Sequence, residues 1–272
     1  MKRVITLFII FCFFFSGCEM EKKENINVTF LDVGNADCQI IMVDNKTVMI
    51  DTALANQKDK IFEFLDKNNI DKIDVLILTH FDKDHIGTAS EIINELNVDL
   101  IYENSLKKHT NSTHYKSYKK AIKENRSKVI PVNEQIEFEF NDAKFKIYPP
   151  KSDRYLNNES NNSSLMVTLK YNETSFLFAA DIEKDRIAEV IDVVEERYDI
   201  LKIPHHGYYE ENTYEFLSAL MPKFAIITTS NKKAPSPKTL SELLKLGIEV
   251  YLTVNGDITI SSNGTSYKLE QK

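Results

Sequence analysis

Six consecutive residues, His80-Phe81-Asp82-Lys83-Asp84-His85, hold four groups able to ligate a metal ion: His80, Asp82, Asp84 and His85. Imidazole suits Zn²⁺, Mn²⁺ and Fe²⁺, and carboxylate suits harder ions, so this mixture points to a divalent-metal centre. The chemistry such a centre offers is metal-assisted hydrolysis, in which cations acidify water and draw charge from a phosphoryl or carbonyl oxygen. The run follows, after Thr79, the stretch Ile73–Leu78, apolar but for Asp74 and of the kind that forms a buried strand. A tight loop at the mouth of a strand can aim several side chains at one point; an extended strand or a regular helix cannot. The competing reading, a charged surface turn, leaves that placement unexplained.

The remaining sequence supplies the elements that would position such a loop. Asn27 to Val33, Cys38 to Asp44 and Thr47 to Asp51 read as strands, and Asp59 to Lys67 places Ile61, Phe64 and Leu65 at helical spacing. Ser90 to Leu96 and Tyr115 to Lys123 read as helices, with Asp99 to Tyr102 a strand between them. Ile136 to Phe140 and Lys144 to Tyr148 flank Asn141-Asp142, a hairpin signal, and Leu165 to Tyr171 and Ser175 to Phe178 flank another turn. Ile182 to Arg197, Tyr214 to Leu220 and Leu240 to Leu246 read as helices, with strands at Ile200 to Ile203 and Phe224 to Thr228. Val250 to Thr253 and Ile258 to Ser261 flank Asn255-Gly256, which reads as a hairpin turn. Strand clusters alternating with helices predict two sheets with helices outside.

The metal-type run resembles the His-x-His-x-Asp-His signature of the metallo-β-lactamase superfamily. The match is closest to the hydrolase domain of the ComEC DNA-uptake (competence) proteins, which carries Asp at the middle position, as Asp82 does here. The resemblance extends through nearly the whole chain after the leader. Phe30-Leu31-Asp32-Val33-Gly34-Asn35-Ala36-Asp37 looks like the family's opening strand and turn, and Ile50-Asp51-Thr52 like its second. Asn161-Asn162-Ser163-Ser164-Leu165 precedes the strand leading to Ala180-Asp181, and Leu201-Lys202-Ile203-Pro204-His205-His206-Gly207 looks like the last metal motif.

The resemblance implies an α/β (α+β) fold: a four-layer αββα sandwich of two mixed β-sheets with helices outside, holding two divalent metal ions, Zn or Mn. Carried over position by position, His80 and Asp82 serve the first metal. Asp84, His85 and His205 serve the second, and Asp181 bridges both. His206 then faces substrate, with an exchange of roles between His205 and His206 left open. Asp84 and His206 carry the catalytic proton transfers, and Asp51 supports the metal loop or ends a strand. The family's third motif usually has a His, and here Asn162 or Ser164 occupies that position, which favours Mn²⁺ or weakly held Zn²⁺ at the first site. Ala180 and Thr88 stand where Gly is usual and Tyr208 where Ser is common, changes expected to narrow the pocket.

The chain begins with Lys2 and Arg3, an apolar run from Val4 to Phe15, then Ser16, Gly17 and Cys18. That pattern is a secretory signal, and the run is shorter than the ~20 residues that span a bilayer. Phe15-Ser16-Gly17-Cys18 also resembles a bacterial lipobox, which implies a signal peptide at 1–17, lipid on the Cys18 thiol and a lipoprotein on the extracytoplasmic face of the cell membrane. Residues 18–25 then form a tether and 26–272 the hydrolase domain. Among Cys12, Cys18 and Cys38, only Cys38 remains a free thiol, and it reads as a small strand residue.

The net charge of −7 disfavours broad nucleic-acid binding. A local exception spans Lys107 to Lys128, where Lys107, Lys108, Lys116, Lys119, Lys120, Lys123, Arg126 and Lys128 face one acid, Glu124. Lys119 and Lys120 are candidate substrate contacts, with Tyr115 and Tyr118 as stacking surfaces; the plainer reading is a solvated lysine face. The expected substrate is a phosphodiester, DNA being one candidate, and no obligate protein partner is indicated. Two alternatives stay open: another hydrolase of the superfamily, and a catalytically weak metal-binding accessory lipoprotein.

Overall fold

The computed structural model describes residues 25–106, 110–191 and 197–272. The expected signal peptide, Cys18 and the tether up to Glu24 lie outside these residues, as do Lys107, Lys108 and the segment 192–196 of the expected helix Ile182–Arg197. Among the described residues no helix is long and apolar enough to cross a membrane.

The first half of the chain builds one sheet from β1 (Ile26–Phe30), β2 (Gln39–Val43), β3 (Lys46–Ile50), β4 (Lys72–Leu78), β5 (Asn97–Asn104) and β6 (Val129–Val132). The second half builds another from β7 (Ile136–Phe140), β8 (Ala143–Tyr148), β9 (Met166–Tyr171), β10 (Thr174–Phe178), β11 (Ile200–Lys202), β12 (Phe224–Ile227) and β13 (Glu249–Leu252). The chain then returns to the first sheet with β14 (Ile258–Ser262) and β15 (Tyr267–Gln271). The resulting orders are β15-β14-β1-β2-β3-β4-β5-β6 and β13-β12-β11-β10-β9-β8-β7. Strands β3 to β6 run parallel, as do β10 to β13, and the remaining pairs are antiparallel. Both sheets are therefore mixed.

Burial explains the layering. In β4, Val75 and Ile77 face the other sheet, while Ile73, Leu76 and Leu78 face the helices α1 (Lys58–Lys67), α3 (Ala89–Glu95) and α4 (Thr113–Asn125). A strand buried on both faces reads as a nearly continuous apolar run, broken here by Asp74, which pairs with Lys46 and Lys72. On the far side, Leu177, Leu201 and Ala225 pack under α6 (Lys184–Ile191), α7 (Thr213–Leu220) and α8 (Pro237–Lys245). Two further one-turn helices, α2 (Lys83–Ile86) and α5 (Glu159–Asn162), lie in loops. The expected αββα sandwich is the observed fold.

Two sequence expectations need correction. Asn255-Gly256 is not a hairpin turn: β13 and β14 belong to different sheets, and this segment is the crossover between them. Gly256 is required there because a Cβ would lie 2.1 Å from the Lys272 carbonyl oxygen. The hairpin lies one strand later, where Gly264, at φ +90°, turns β14 into β15. The short edge strand β6 was also not anticipated; Pro131 breaks its pattern, as an edge strand permits.

Candidate metal centre

Every motif residue converges on one end of the sandwich. Asp51 follows β3, His80 to His85 follow β4, Asp181 follows β10, His205 and His206 follow β11, and Thr228 follows β12. The carboxyl ends of neighbouring parallel strands open onto the same edge, so loops leaving them can share a centre.

After β4 the chain alternates. His80 points inward and is buried, while Phe81 packs outward against Tyr115, with ring centroids 4.9 Å apart. Asp82 begins the turn α2, whose amides at His85 and Ile86 donate to the Asp82 carbonyl. This turn carries Asp84 and His85 toward the other sheet. Asp51 locks the loop: its carboxylate accepts from the Thr79 amide at 2.8 Å and the Thr79 hydroxyl at 2.7 Å, and holds His85 Nδ1 at 2.7 Å. Gly87 is needed where loops cross, since a Cβ would lie 2.3 Å from Ala55 N.

The second sheet contributes the other wall. Ala180 takes a left-handed conformation, φ +49°, which turns Asp181 back over the strand ends. Glycine adopts that conformation without strain, which accounts for the Gly the family uses there. His205 and His206 are left-handed too, at φ +44° and +54°, ahead of Gly207 at +79°. Each non-glycine residue held so costs about 1–2 kcal/mol, and the turn separates the two rings to 6.1 Å. His206 is buried beside Asp181, whereas His205 is turned toward the rim and a quarter exposed.

Three imidazoles present the same arrangement. His80 Nδ1 meets the Thr79 and Ser164 hydroxyls, each at 3.2 Å; His85 Nδ1 meets Asp51; His206 Nδ1 meets the Thr228 carbonyl at 3.0 Å and its hydroxyl at 2.9 Å. Each Nε2 is buried and makes no hydrogen bond among the described residues. Engaging Nδ1 fixes the ring and leaves Nε2 as the ligating atom, which is how hydrogen bonds from behind prepare a histidine for metal. Ligand atoms of Asp84, His85 and His206 lie within 4.8 Å of one another, as do those of His80, His85 and Asp181. Asp181 Oδ2 is 3.2 Å from His85 Nε2 and 3.4 Å from His206 Nε2, and Asp84 Oδ2 is 3.9 Å from His206 Nε2. Ligands of one tetrahedral Zn²⁺ stand roughly 3.4 Å apart. The donor set fits divalent metal.

Electrostatics hold Asp181 and His85 charged. Burial alone would raise the Asp181 carboxyl, but His206, His85 and Lys202 beside it outweigh that and hold it well below the usual range. Burial alone would lower His85, but Asp181 and Asp51 push it well above an ordinary imidazole. His80 is lowered by burial and by its neighbour His85. Cys38 is buried and its thiol pushed well up, first by burial and then by Asp51 and Asp37, which leaves it inert.

The remaining predicted residues fall into three places. His205 sits apart with Glu183 and Glu210: its Nδ1 is 3.0 Å from Glu183 Oε1, and its ring lies 4.6 Å from that of Tyr208. Of the adjacent histidines it is therefore His206 that joins Asp84 and His85. Asp82 accepts from the Ser160 hydroxyl at 2.5 Å. Asn162 is not directed at the centre; its Oδ1 accepts from the Glu183 and Arg186 amides and its Nδ2 donates to the Asn157 carbonyl. Ser164 reaches the centre only through His80 Nδ1. Thr88 turns away, its hydroxyl donating to the Leu54 carbonyl, so it narrows nothing.

Lys119 and Lys120 lie on α4, behind the metal loop. Lys119 is 3.7 Å from Glu103 and Lys120 is 3.6 Å from Glu124. Tyr115 and Tyr118 are not stacking surfaces: both are buried, and the Tyr118 hydroxyl donates to Glu103 at 2.8 Å. The sequence reading missed Asp37, Lys202 and Thr228 as parts of the centre. The available signal was charge beside strands: Asp37 precedes β2 and Lys202 ends the apolar β11, and a charge there requires a partner.

Comparison with known proteins adds three findings. A family model described as the metallo-beta-lactamase superfamily matches residues 31–229. ComE operon protein 3 of Bacillus subtilis (strain 168) is 26% identical over 92% of the chain, and Recombination protein 2 of Haemophilus influenzae is 23% identical over 81%. The aligned region spans only 34% and 26% of those two proteins. Among solved structures, the metallo-beta-lactamase fold protein YhfI from Bacillus subtilis superposes with a TM-score of 0.57 at 12% identity, covering 90% of this chain and all of that one.

Proposed function

The chain belongs to the metallo-beta-lactamase superfamily, and from that premise we propose that it is a metal-dependent hydrolase of phosphodiesters, held by lipid on Cys18 at the outer face of the cell membrane. One observation carries the reading. Three buried imidazole Nε2 atoms without hydrogen bonds among the described residues converge with Asp181 and Asp84, and each ring is fixed through its other nitrogen.

In this reading Asp84, His85, His206 and Asp181 would hold one divalent ion, and His80 and Asp82, with Asp181 nearby, would hold a second more loosely. Zn²⁺ or Mn²⁺ there supplies Lewis acidity toward a phosphoryl oxygen and acidifies water. Asp84, partly exposed beside His206, accepts the proton of the attacking water. His205 takes the substrate-facing role. Burial would lower its pKa, but the hydrogen bond to Glu183 and the nearby Asp181 raise it, so it is set to protonate a leaving oxygen. Tyr208, half-exposed beside it, narrows the entrance. The phosphodiester class and the candidacy of DNA rest on the motif likeness to ComEC hydrolase domains and on the lysines of α4.

The purified protein is tested with bis-p-nitrophenyl phosphate and single-stranded DNA, with added Mn²⁺ or Zn²⁺ and with chelator. Chelator-sensitive cleavage is expected; metal retention without cleavage of either substrate would favour the accessory-binding alternative, and turnover of a chromogenic cephalosporin alone would favour a different hydrolase. Cys18→Ala should release the protein from the membrane fraction; unchanged fractionation would sink the lipid anchor.

A further inference from the structure

A lysine is built into the middle of the centre. In β11, Leu201 faces the outer helices, while Ile200 and Lys202 face the other sheet. Lys202 is thus an ammonium in the interior of a sandwich, 1% exposed, where an apolar side chain would pack without desolvation cost. Its three donors meet three acceptors: the Ala180 carbonyl at 2.8 Å, Asp181 Oδ1 at 3.4 Å, and Asp37 Oδ2 in an ion pair.

Asp37 is fixed in turn. Its amide donates to the Asp84 carbonyl, its carbonyl accepts from the Ala53 amide, and its Oδ1 accepts from the Thr228 hydroxyl at 2.6 Å. That hydroxyl accepts from His206 Nδ1. The ammonium therefore touches the central carboxylate directly and reaches a central imidazole through Asp37 and Thr228. Only Asp181 Oδ2 faces His85 and His206.

We propose that Lys202 is a positioning residue: it clamps Asp181 Oδ1, so that Asp181 offers metal a single oxygen. The inference rests on the metal-centre reading above. Without the clamp, Oδ1 is free to swing toward the metal and raise its coordination number. The lysine contributes no bond to substrate; it sets the denticity of a ligand.

The test loads the metal-free full chain with Co²⁺, whose visible absorption is strong in four-coordinate sites and weak in five-coordinate ones. Lys202→Met is compared with Asp37→Asn/Lys202→Met, which removes the Asp37 charge with its partner and guards against loss of the fold. Thermal melting reports folding, and titration reports affinity. The wild type should bind Co²⁺ with strong absorption. The double variant should melt cooperatively and absorb several-fold more weakly per bound ion. A double variant with wild-type absorption per bound ion would overturn the clamp and leave Lys202 as the counter-charge of Asp37. A folded wild type that takes up no Co²⁺, Zn²⁺ or Mn²⁺ would overturn the metal-centre reading and the inference with it.

Discussion

The centre has two unequal halves. On the His206 side, three of the four ligands have a dedicated support: Thr228 behind His206, Asp51 behind His85, and Lys202 on the outer oxygen of Asp181. On the His80 side the supports among the described residues are hydroxyls, from Thr79 and Ser164 on His80 and from Ser160 on Asp82, and the sequence stretch that would bring a third imidazole holds Asn162, which caps α6 instead. A hydroxyl holds a ring less firmly than a carboxylate, and a site short of one ligand binds more weakly. The difference teaches that motif count and site quality are separate properties: both halves carry signature residues, and only one is buttressed by charged groups.

The largest test of this asymmetry is Asp181→Ala. Because both groups of ligands converge on Asp181, metal content measured after dialysis should fall to none and turnover with it. Retention of one equivalent would show that the halves do not share this residue. Next, His206→Ala should remove the tightly held equivalent, whereas His80→Ala should remove only the weaker one; equal losses in a two-step titration would erase the asymmetry. Smaller again, Asp51→Asn should weaken metal affinity about 10–100-fold through loss of the support behind His85, with a lesser effect from Ser164→Ala behind His80.

A pH series sharpens the same contrast. In the metal-free protein His85 is held well above the ordinary imidazole range while His80 is held below it. At neutral pH a metal must displace a proton from His85 and none from His80. Affinity on the His206 side should therefore rise with pH and uptake should release a proton, as seen by calorimetry in buffers of different ionisation enthalpy. Buffer-independent heats would contradict the assignment. The smallest effect concerns α4. Reversing Lys119 and Lys120 to Glu should weaken long polyanions while sparing a small chromogenic ester, and should lower the salt slope of binding by about 0.7–0.9 for each phosphate no longer neutralised. Equal weakening on both substrates would assign α4 to structure alone.

Much of this was legible in the sequence because periodicity and burial coincide. The largely apolar β4 and the turn after it could be placed from residues alone, and so could the hairpin at Asn141-Asp142, whose Asn141 is left-handed at φ +49°. Asn255-Gly256 misled because the same dipeptide serves any left-handed or crowded backbone, and a crossover between sheets is one. The order of His205 and His206 was illegible because it depends on three consecutive left-handed residues, a property of the backbone that no side-chain pattern reveals. Tyr115 and Tyr118 looked like solvent-facing aromatics among lysines; they are the buried face of an amphipathic helix whose exposed face the lysines cover. The role of Lys202 is not legible from its motif, because its acceptors, Asp37 and Asp181, come from elsewhere in the chain.

The strand order also has a consequence for how the protein is made. β1 lies between β2 and β14, and Thr29 and Thr259 share a hydrogen bond across 230 residues of chain. The first strand leaves the ribosome almost a full chain length ahead of its second neighbour. Until then the edge of β1 is an open template, prone to pairing with other chains. Topologies dominated by such distant pairings fold slowly, so the strands β14 and β15 decide when the first sheet closes, and a nascent or truncated chain without them is the form most in need of a chaperone.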